Sequence, residues 1–396
     1  MPDRLLAGMG NLELLENTML SNQAHLFDLE EEVTYINGAF MSPQLKSVTE
    51  IGHQQLDKKA RPYQLSVDDF FRDVKLVKEE FAKVVNAPDA NRMAIIPSVS
   101  YGMANVVKNV DVKGKDIVVV EEQFPSNMYP WMELEKTQEA KIKLIEAPDA
   151  LEGRGKAWNE RVLEAIDANT GMVALSHVHW ADGTLFDLKK IREKTREVGA
   201  LLVIDGTQSV GAYPFDVNEI DPDALICAGY KWLLGPYGIG VAYYGPAFDN
   251  GTPFEQNWIN RKDSENFAGL VNYKDEYQPG AFKYSMGEQS NFILIPMFLE
   301  ALKQINRWGV ENVQAYCEAL IEDSLEELKQ KGYWVEEKGY RSSHLFGIRK
   351  EGLDVEQLKK DLDAKKIYVS IRGSSVRVAP SVYNSKEEYQ KLVSVL

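Results

Sequence analysis

Four consecutive apolar residues at positions 201–204 end at an acidic residue, Asp205, and this short run constrains the fold more than any other segment. An uninterrupted apolar strand is typical of a parallel sheet covered by helices on both faces, whereas a strand with one wet face alternates apolar and polar residues. The run therefore predicts a central strand whose carboxyl end delivers Asp205 from the core to the edge of the sheet.

Strand-like and helix-like segments alternate through the middle of the chain. Asp187 and Gly199 fit the start and the end of one helix, because Asp is a good N-cap and Gly tolerates the left-handed conformation after a helix. The alternation predicts an α/β fold with a mostly parallel, doubly wound sheet. The other apolar runs that predict its strands lie at 93–96, 116–120, 141–145, 171–176, 224–227 and 239–243.

The domain organisation follows from length and from a change of pattern. The chain has 396 residues, which is more than one hydrophobic core usually organises, so we expect two domains. After about residue 285 the alternation gives way to two long helical stretches, predicted from 289 to about 307 and from 310 to 331. Short strands and helices follow, including a strand predicted at 367–371, which indicates a smaller α+β domain. We expect a large domain at 41–285 and a small C-terminal domain at 286–396. Residues 1–40 are expected to pack on the small domain or at a subunit interface.

Composition excludes several classes of protein. The net charge of −15, from 45 basic and 60 acidic residues, argues against nucleic acid or an anionic membrane as the main partner. The two cysteines, Cys227 and Cys317, fit no metal-binding spacing. No stretch approaches the roughly 20 apolar residues that span a bilayer, and the N-terminus lacks the apolar segment of a secretion signal. We therefore expect a cytoplasmic protein without a metal ion.

Lys231 follows the strand predicted next after Asp205 and lies in the glycine-rich run 228–240. Open α/β sheets bind ligands beyond the carboxyl ends of their strands, so the two side chains are expected to lie close together. A buried acid needs a cationic partner, which a protonated pyridine nitrogen supplies, and a lysine forms an imine with an aldehyde. Either residue alone would be an ordinary solvated one, but the pair predicts pyridoxal 5'-phosphate (PLP) as the cofactor.

Two further segments could hold such a cofactor. Ser98, Val99 and Ser100 lie between a strand and a helix, where hydroxyl and free N–H groups bind anions such as phosphate, although a serine there is more often only a helix cap. Phe124 follows another strand and could stack on the ring, although an isolated phenylalanine is more often part of a core.

Other side chains near these motifs supply polar contacts. Tyr230 offers a hydroxyl to the phosphate, and Gln208 lies within reach of the ring hydroxyl. Arg377 lies between two valines on a predicted short strand, and its guanidinium matches the two oxygens of a substrate carboxylate. A solvated arginine at a sheet edge would show the same alternation.

Together these motifs resemble the class V aminotransferase family of fold-type I PLP-dependent enzymes, which includes cysteine desulfurases, kynureninases and isopenicillin N epimerase-like proteins. The resemblance covers nearly the whole chain. It implies a PLP-dependent transferase that acts on a small amino acid, with Lys231 as the catalytic residue, and a homodimer with its sites at the subunit interface. The motifs that carry it lie at 35–39, 98–100, 124–126, 205–209 and 230–232, and at Arg377 with Tyr383 and Asn384 downstream.

The resemblance also implies site residues that no local pattern indicates. Asn37 lies in the motif at 35–39, which the resemblance places on the substrate side of the site. Arg377 is implied to lie on the same side. Gly287 lies in the segment 284–288, which resembles the part that reaches the phosphate of the partner subunit. Trp258 is implied to line the pocket.

The type of reaction is less constrained than the cofactor. Transamination is the expected activity. One alternative is another PLP-dependent reaction, by a kynureninase-like hydrolase or lyase, which the motif at 124–126 favours, or by an epimerase. The other alternative is a non-catalytic binding protein with the PLP-enzyme fold. A desulfurase needs a thiol shortly before the carboxylate-binding arginine, and 361–375 contains no cysteine. Trp180 and Ala228 also depart from the family, because desulfurases have an asparagine at the first position and many members have a phosphate-binding serine at the second.

Overall fold

The computed structural model describes residues 20–396. In chain order, its strands are β1 (Thr34–Tyr35), β2 (Met93–Ile96), β3 (Asp116–Val120), β4 (Lys141–Ile145), β5 (Thr170–Ser176), β6 (Leu201–Asp205), β7 (Ala224–Ala228), β8 (Gly240–Tyr244), β9 (Trp334–Val335), β10 (Phe346–Arg349), β11 (Ile367–Tyr368), β12 (Ser370–Arg372) and β13 (Ser375–Val378). Its α-helices are α1 (Lys46–Lys59), α2 (Arg72–Val84), α3 (Val99–Asn109), α4 (Tyr129–Gln138), α5 (Arg154–Ala165), α6 (Leu188–Val198), α7 (Val217–Ile220), α8 (Leu294–Trp308), α9 (Val310–Gln330), α10 (Val355–Ala364) and α11 (Lys386–Val395).

A seven-stranded sheet in the order β2-β8-β7-β6-β5-β3-β4 forms the centre of the fold. Neighbouring strands from β7 to β4 are parallel, and β8 runs antiparallel to both β7 and β2. The predicted α/β class with a mostly parallel sheet is therefore confirmed. The antiparallel strand β8 was not anticipated, because a strand's direction depends on its pairing and not on its own composition.

Helices cover both faces of this sheet, which explains why β6 is apolar throughout. Leu202 and Ile204 belong to the core on one side, while Val203 belongs to the core on the other side, with side chains of α3 and α4. Successive residues of a strand point to opposite faces, so both sets need apolar side chains when both faces are dry. This packing brings Asp205 to the carboxyl edge of the sheet.

Helix α8 shares the core of the large sheet, where it packs against α1 and α2. Phe298 of α8 reaches the loop after β7, since a Cβ added at Gly235 would lie only 2.5 Å from its ring. The helix begins at Leu294, five residues later than the pattern from 289 suggested. The domain boundary at 285/286 stays a prediction, and the packing of α8 places this helix with the large sheet.

The C-terminal part forms a second, antiparallel sheet in the order β12-β13-β10-β9, covered by α9, α10 and α11. The single strand predicted at 367–371 is divided at Val369 into β11 and β12. β11 pairs with β1 in a separate parallel pair, whereas β12 pairs with β13. A run this short carries too little periodicity to show that its two halves have different partners.

The described part of the N-terminal segment contacts this C-terminal part. β1 pairs with β11, and Asn37 forms a bridge to Ala379. Residues 1–19 of the predicted segment lie outside the described residues. Within residues 20–396, no helix is long and apolar enough to cross a membrane, and no cluster of three or more His, Cys, Asp or Glu residues could hold a metal ion.

A buried ionic network joins the large sheet to the C-terminal sheet. Asp182, in the turn after β5, lies 2.9 Å from Arg154 of α5 and 3.0 Å from Arg349 of β10. The same carboxylate accepts hydrogen bonds from the backbone and the hydroxyl of Thr184 and contacts His179. Burial alone would raise the pKa of Asp182, but His179, Arg154 and Arg349 hold it below the ordinary range. The network therefore fixes the turn 179–184 relative to β10.

Replacing Asp182 should destabilise the fold strongly. Asp182→Ala leaves two guanidinium groups without their buried acid, a change that typically costs roughly 3–5 kcal/mol. Urea unfolding followed by circular dichroism would measure the difference in free energy. Glu160→Ala, which removes an exposed acid beside Lys156, is the matched control and should leave the free energy of unfolding nearly unchanged. A loss as small as that of the control would contradict the role of the network.

Candidate active site

A cavity of about 230 Å³ lies at the carboxyl ends of β2, β3, β5, β6 and β7. This is the edge at which parallel α/β sheets bind ligands. Eight of the predicted site residues line it together: Ser98, Val99, Ser100, Phe124, Asp205, Gln208, Tyr230 and Lys231.

Asp205 and Lys231 face this cavity from neighbouring strand ends, and both are nearly inaccessible to solvent. The Asp205 carboxylate accepts a hydrogen bond of 3.0 Å from the backbone N–H of Thr207, and burial raises its pKa. Burial lowers the pKa of Lys231 to about 8, although the charge of Asp205 acts in the opposite direction. A substantial fraction of the Lys231 amine is therefore neutral near physiological pH, as a nucleophile requires.

The loop that carries Lys231 is held in a compact shape by glycines. The N–H of Gly235 donates to the carbonyl of Gly229 at 2.8 Å, which closes the turn around the lysine. Leu234 has a φ of +53°, in the left-handed region that side chains rarely adopt. A Cβ at Gly240 would lie 2.3 Å from the carbonyl oxygen of Cys227. Close backbone packing thus explains the glycine-rich sequence and fixes the backbone position from which the Lys231 side chain extends.

The start of α3 forms the second end of the cavity. Ser98 caps the helix, and its Oγ accepts a hydrogen bond from the N–H of Tyr101 at 3.2 Å and lies 3.1 Å from Ser100 Oγ. The backbone N–H groups of Val99 and Ser100 have no intrahelical acceptor, because they belong to the first turn. Two amides and two hydroxyls at the positive end of a helix make a site for an anion such as phosphate.

Two buried polar groups in the cavity have no hydrogen-bond partner among residues 20–396. They are Ser176 Oγ and Gln123 Nε2, both on the cavity wall. Buried polar atoms are nearly always satisfied in folded proteins, so their presence fits a cavity built for a polar ligand. With Asp205, Lys231 and the start of α3, the residues present match the pyridine, aldehyde and phosphate groups of PLP.

Ser176 and Gln123 were missed at the sequence level, although a signal was present. Ser176 ends β5 and is paired in register with Asp205 on β6. Gln123 follows the end of β3. A search restricted to polar residues at predicted carboxyl strand ends would have found both.

Aromatic side chains form one wall of the cavity. The rings of Phe124 and Trp180 meet edge to face, with 5.4 Å between their centroids, and Lys231 Nζ lies 5.6 Å from the Phe124 centroid. The Trp180 indole N–H donates to the carbonyl of Glu122 at 2.6 Å, which fixes its ring. Phe124 is therefore placed where it can cover the face of a ring bound beside Lys231.

Gln208 lines the cavity, but its amide group already has protein partners. Its Nε2 donates to the carbonyl of Ala39 at 3.0 Å, and its Oε1 accepts from the indole of Trp232 at 2.9 Å. Contact with a ring hydroxyl would have to share one of these atoms, so that role stays a prediction.

Asn37 and Arg377, the two residues predicted on the substrate side, are linked to each other through Ser370. Arg377 also contacts the turn that carries Trp180. Arg377 donates to the carbonyl of Trp180 at 2.8 Å and lies 3.4 Å from Ser370 Oγ. Ser370 Oγ in turn donates to Asn37 at 2.8 Å. Burial and the neighbouring Arg372 lower the pKa of Arg377 to about 9. Neither Asn37 nor Arg377 lines the cavity, and the buried Arg377 Nε has no hydrogen-bond partner among the described residues.

Trp258 and Gly287 are not part of this cavity. They line a separate depression with Phe70, and the N–H of Gly287 donates to the carboxylate of Glu255 at 3.1 Å. Contact of either residue with the cofactor would have to come through a second subunit, and it stays a prediction.

Comparison with known proteins agrees with this geometry. The family profile described as aminotransferase class V matches residues 64–390. The chain belongs to the class V aminotransferase family. An uncharacterized aminotransferase of Bacillus subtilis, YcbU, is 27% identical to it over 81% of this chain and 82% of the relative. A probable cysteine desulfurase of Pyrococcus abyssi is also 27% identical, over 75% and 74% of the two chains.

Solved structures of low sequence identity share the fold of this class V chain. A C-DES variant whose cofactor is PLP has a TM-score of 0.82 at 17% identity, with 94% of this chain and 98% of that chain covered. The cysteine desulfurase CsdA of Escherichia coli has a TM-score of 0.76 at 17% identity, with 94% and 96% covered. The predictions of family, of fold type I and of PLP as the cofactor are confirmed.

Lys231 should titrate well below an ordinary lysine, whose pKa is near 10.4. Acetylation of the apoprotein at a series of pH values, read by mass spectrometry, would report its neutral fraction. Labelling should rise as pH increases through about 8. Asp205→Asn removes the anion that favours the charged amine, so it should shift the midpoint to lower pH. The exposed Lys113 in the same samples is the reference. A Lys231 midpoint close to that of an ordinary lysine would contradict the buried site.

Proposed function

We propose that this class V enzyme is an aminotransferase, which moves the amino group of an amino acid to a keto acid. The observation that carries the proposal is the single cavity that combines Asp205, Lys231 and the start of α3, with Arg377 beside it and no thiol in its wall.

The chain's own residues would hold the cofactor at three points. Asp205 would accept a hydrogen bond from the protonated pyridine nitrogen, the α3 start would bind the phosphate, and Phe124 would cover one face of the ring. When bound, PLP supplies an aldehyde that condenses with amines and a ring that withdraws electrons from the attached carbon. Lys231 Nζ would anchor the aldehyde in the resting enzyme.

Lys231 would then move the proton that transamination requires. Once a substrate amine replaces it, its Nζ is free to take the proton from the substrate's α-carbon and return it to a neighbouring carbon. A general base works best when its pKa lies near the working pH, and burial gives Lys231 a pKa of about 8.

Arg377 would orient the substrate. Its guanidinium is buried, and its position is fixed by the carbonyl of Trp180. A planar pair of donors matches the two oxygens of an α-carboxylate. Asn37, which accepts the hydrogen bond from Ser370, would hold Ser370 in place beside Arg377.

The positions of the two cysteines argue against desulfuration. Both Cys227 and Cys317 are fully buried, and burial raises the pKa of each thiol. Neither lines the cavity. A persulfide-forming thiol needs access to the substrate and a thiolate form, so these two thiols lack what the reaction requires. Desulfurase relatives therefore share the fold and cofactor without defining this reaction.

Incubation of the PLP-bound protein with an amino acid and a keto acid should give the exchanged pair of products. Chromatography of the mixture also detects the alternatives, since a cleaved carbon chain indicates a hydrolase or lyase and an inverted enantiomer indicates an epimerase. Either of those as the sole product would refute transamination.

Borohydride reduction should trap the cofactor on the peptide containing Lys231. Lys231→Ala should abolish this adduct and lower the rate at least about 1,000-fold, as expected for loss of an essential base and nucleophile.

We also propose that the enzyme is a homodimer. Large apolar side chains are exposed along 254–273, namely Phe254, Trp258, Phe267, Val271 and Tyr273. Such exposure on one segment is typical of an interaction surface. A second subunit there would also bring Trp258 and Gly287 toward a neighbouring cavity.

Light scattering of the purified protein should give twice the mass of one chain. Tyr273→Asp places a charge on a side chain that is 96% exposed, and it should shift the population toward the monomer because burying an unpaired charge is costly. Leu144→Asp, on the edge strand β4, is the matched control and should remain dimeric. A wild-type protein of single-chain mass would refute the proposal.

A further inference from the structure

Two arginines converge on Trp180. Arg377 donates to its backbone carbonyl, and the guanidinium carbon of Arg372 lies 5.6 Å from the centroid of its ring. Trp180 itself forms part of the cavity wall. The two cations are therefore held against different parts of one residue in the cavity wall.

Neither of these arginines has an acidic partner within residues 20–396, although the chain has 60 acidic residues. The ionisable neighbours that shift the pKa of Arg377 are Arg372 and the phenol of Tyr35, and neither is a carboxylate. The carboxylate that raises the pKa of Lys231 is that of Asp205. Elsewhere the buried Arg154 and Arg349 share Asp182. Two guanidinium groups near each other repel, so an arrangement without a carboxylate favours binding of anions from outside the chain.

The hairpin between β12 and β13 fixes this pair. Arg372 is paired in register with Ser375, and Ser370 with Arg377, on two antiparallel strands. Gly373 has a φ of +55°, as a tight turn requires. Arg372 donates to the carbonyl of Ile371 and is partly exposed. Its remaining donors are therefore available to a ligand that enters past Trp180.

We propose that Arg372 binds a second carboxylate, and that the preferred substrates are amino acids whose side chain ends in a carboxylate. Arg377 takes the α-carboxylate, as under the proposed function on which this inference rests, and Arg372 takes the acid of the side chain. Trp180, which contacts both arginines, would support the carbon chain that joins the two acids.

Binding of unreactive acids tests this assignment without turnover. Calorimetry on the PLP-bound protein compares succinate with butyrate and glutarate with valerate, pairs that differ by one carboxylate. A hydrogen-bonded charged pair contributes about 1.5–3 kcal/mol, so at least one dicarboxylate should bind roughly tenfold or more tightly than its partner. Ratios near one for both pairs would overturn the inference.

Variants separate the two arginines. Arg372→Gln should reduce the dicarboxylate-to-monocarboxylate ratio by about tenfold, and Arg372→Lys should restore part of it, because lysine keeps the charge but lacks the planar fork. Arg377→Gln should weaken the binding of both acids of a pair and so preserve the dicarboxylate-to-monocarboxylate ratio. Arg61→Gln, an exposed arginine on another surface, controls for the loss of one positive charge. A ratio unchanged in Arg372→Gln would also overturn the inference.

Kinetics give an independent readout that does not depend on the folding of a variant. Wild-type enzyme should prefer aspartate to asparagine, or glutamate to glutamine, by tenfold or more in kcat/KM. The absence of any such preference counts against the inference. If borohydride traps no cofactor at Lys231, the proposed function itself fails; if the adduct forms while both acid pairs bind equally, only the role of Arg372 fails.

Discussion

The site depends on two opposite charges buried at the ends of neighbouring strands. Asp205 and Lys231 are both removed from water, and burial acts on each by favouring its neutral form. A charged group in a dry interior is stable only with a partner of opposite charge. A cofactor with a cationic ring nitrogen and an aldehyde satisfies both ends at once. The apolar packing on both faces of β6 and β7 is what keeps this edge of the sheet dry.

The second requirement is the turn after β5. Asp182 holds this turn through ion pairs with helix α5 and with β10 of the C-terminal sheet. The turn presents Trp180 to the cavity, and the carbonyl of Trp180 in turn orients Arg377. The proposed substrate end is therefore assembled by contacts between the two sheets, while the cofactor end is built on the large sheet alone.

Much of the large sheet could be predicted from local pattern. The runs at 93–96, 116–120 and 141–145 agree with β2, β3 and β4 residue for residue. β2 and most of β3 are apolar because they are buried on both faces, whereas β4 is an edge strand that contains two lysines. Helix α6 begins after Asp187 and ends before Gly199, as its capping residues indicated. The predictions were less accurate where pairing decides structure, as in the division of 367–371 between two sheets. Strand pairing joins residues far apart in sequence, and the residues of a short strand do not indicate which other strand it pairs with.

The sequence by itself determined the α/β class, the cofactor and the placement of Asp205 and Lys231 at one edge of the sheet, since these depend on local composition and on the rule that ligands bind at carboxyl strand ends. Only the tertiary structure decided that Ser176 and Gln123 face the cavity without partners, that Gln208 is already hydrogen-bonded, and that Arg372 and Arg377 meet at Trp180. The physical reason is that hydrogen-bond satisfaction and charge balance are properties of groups brought together by folding, and spacing along the chain does not reveal them.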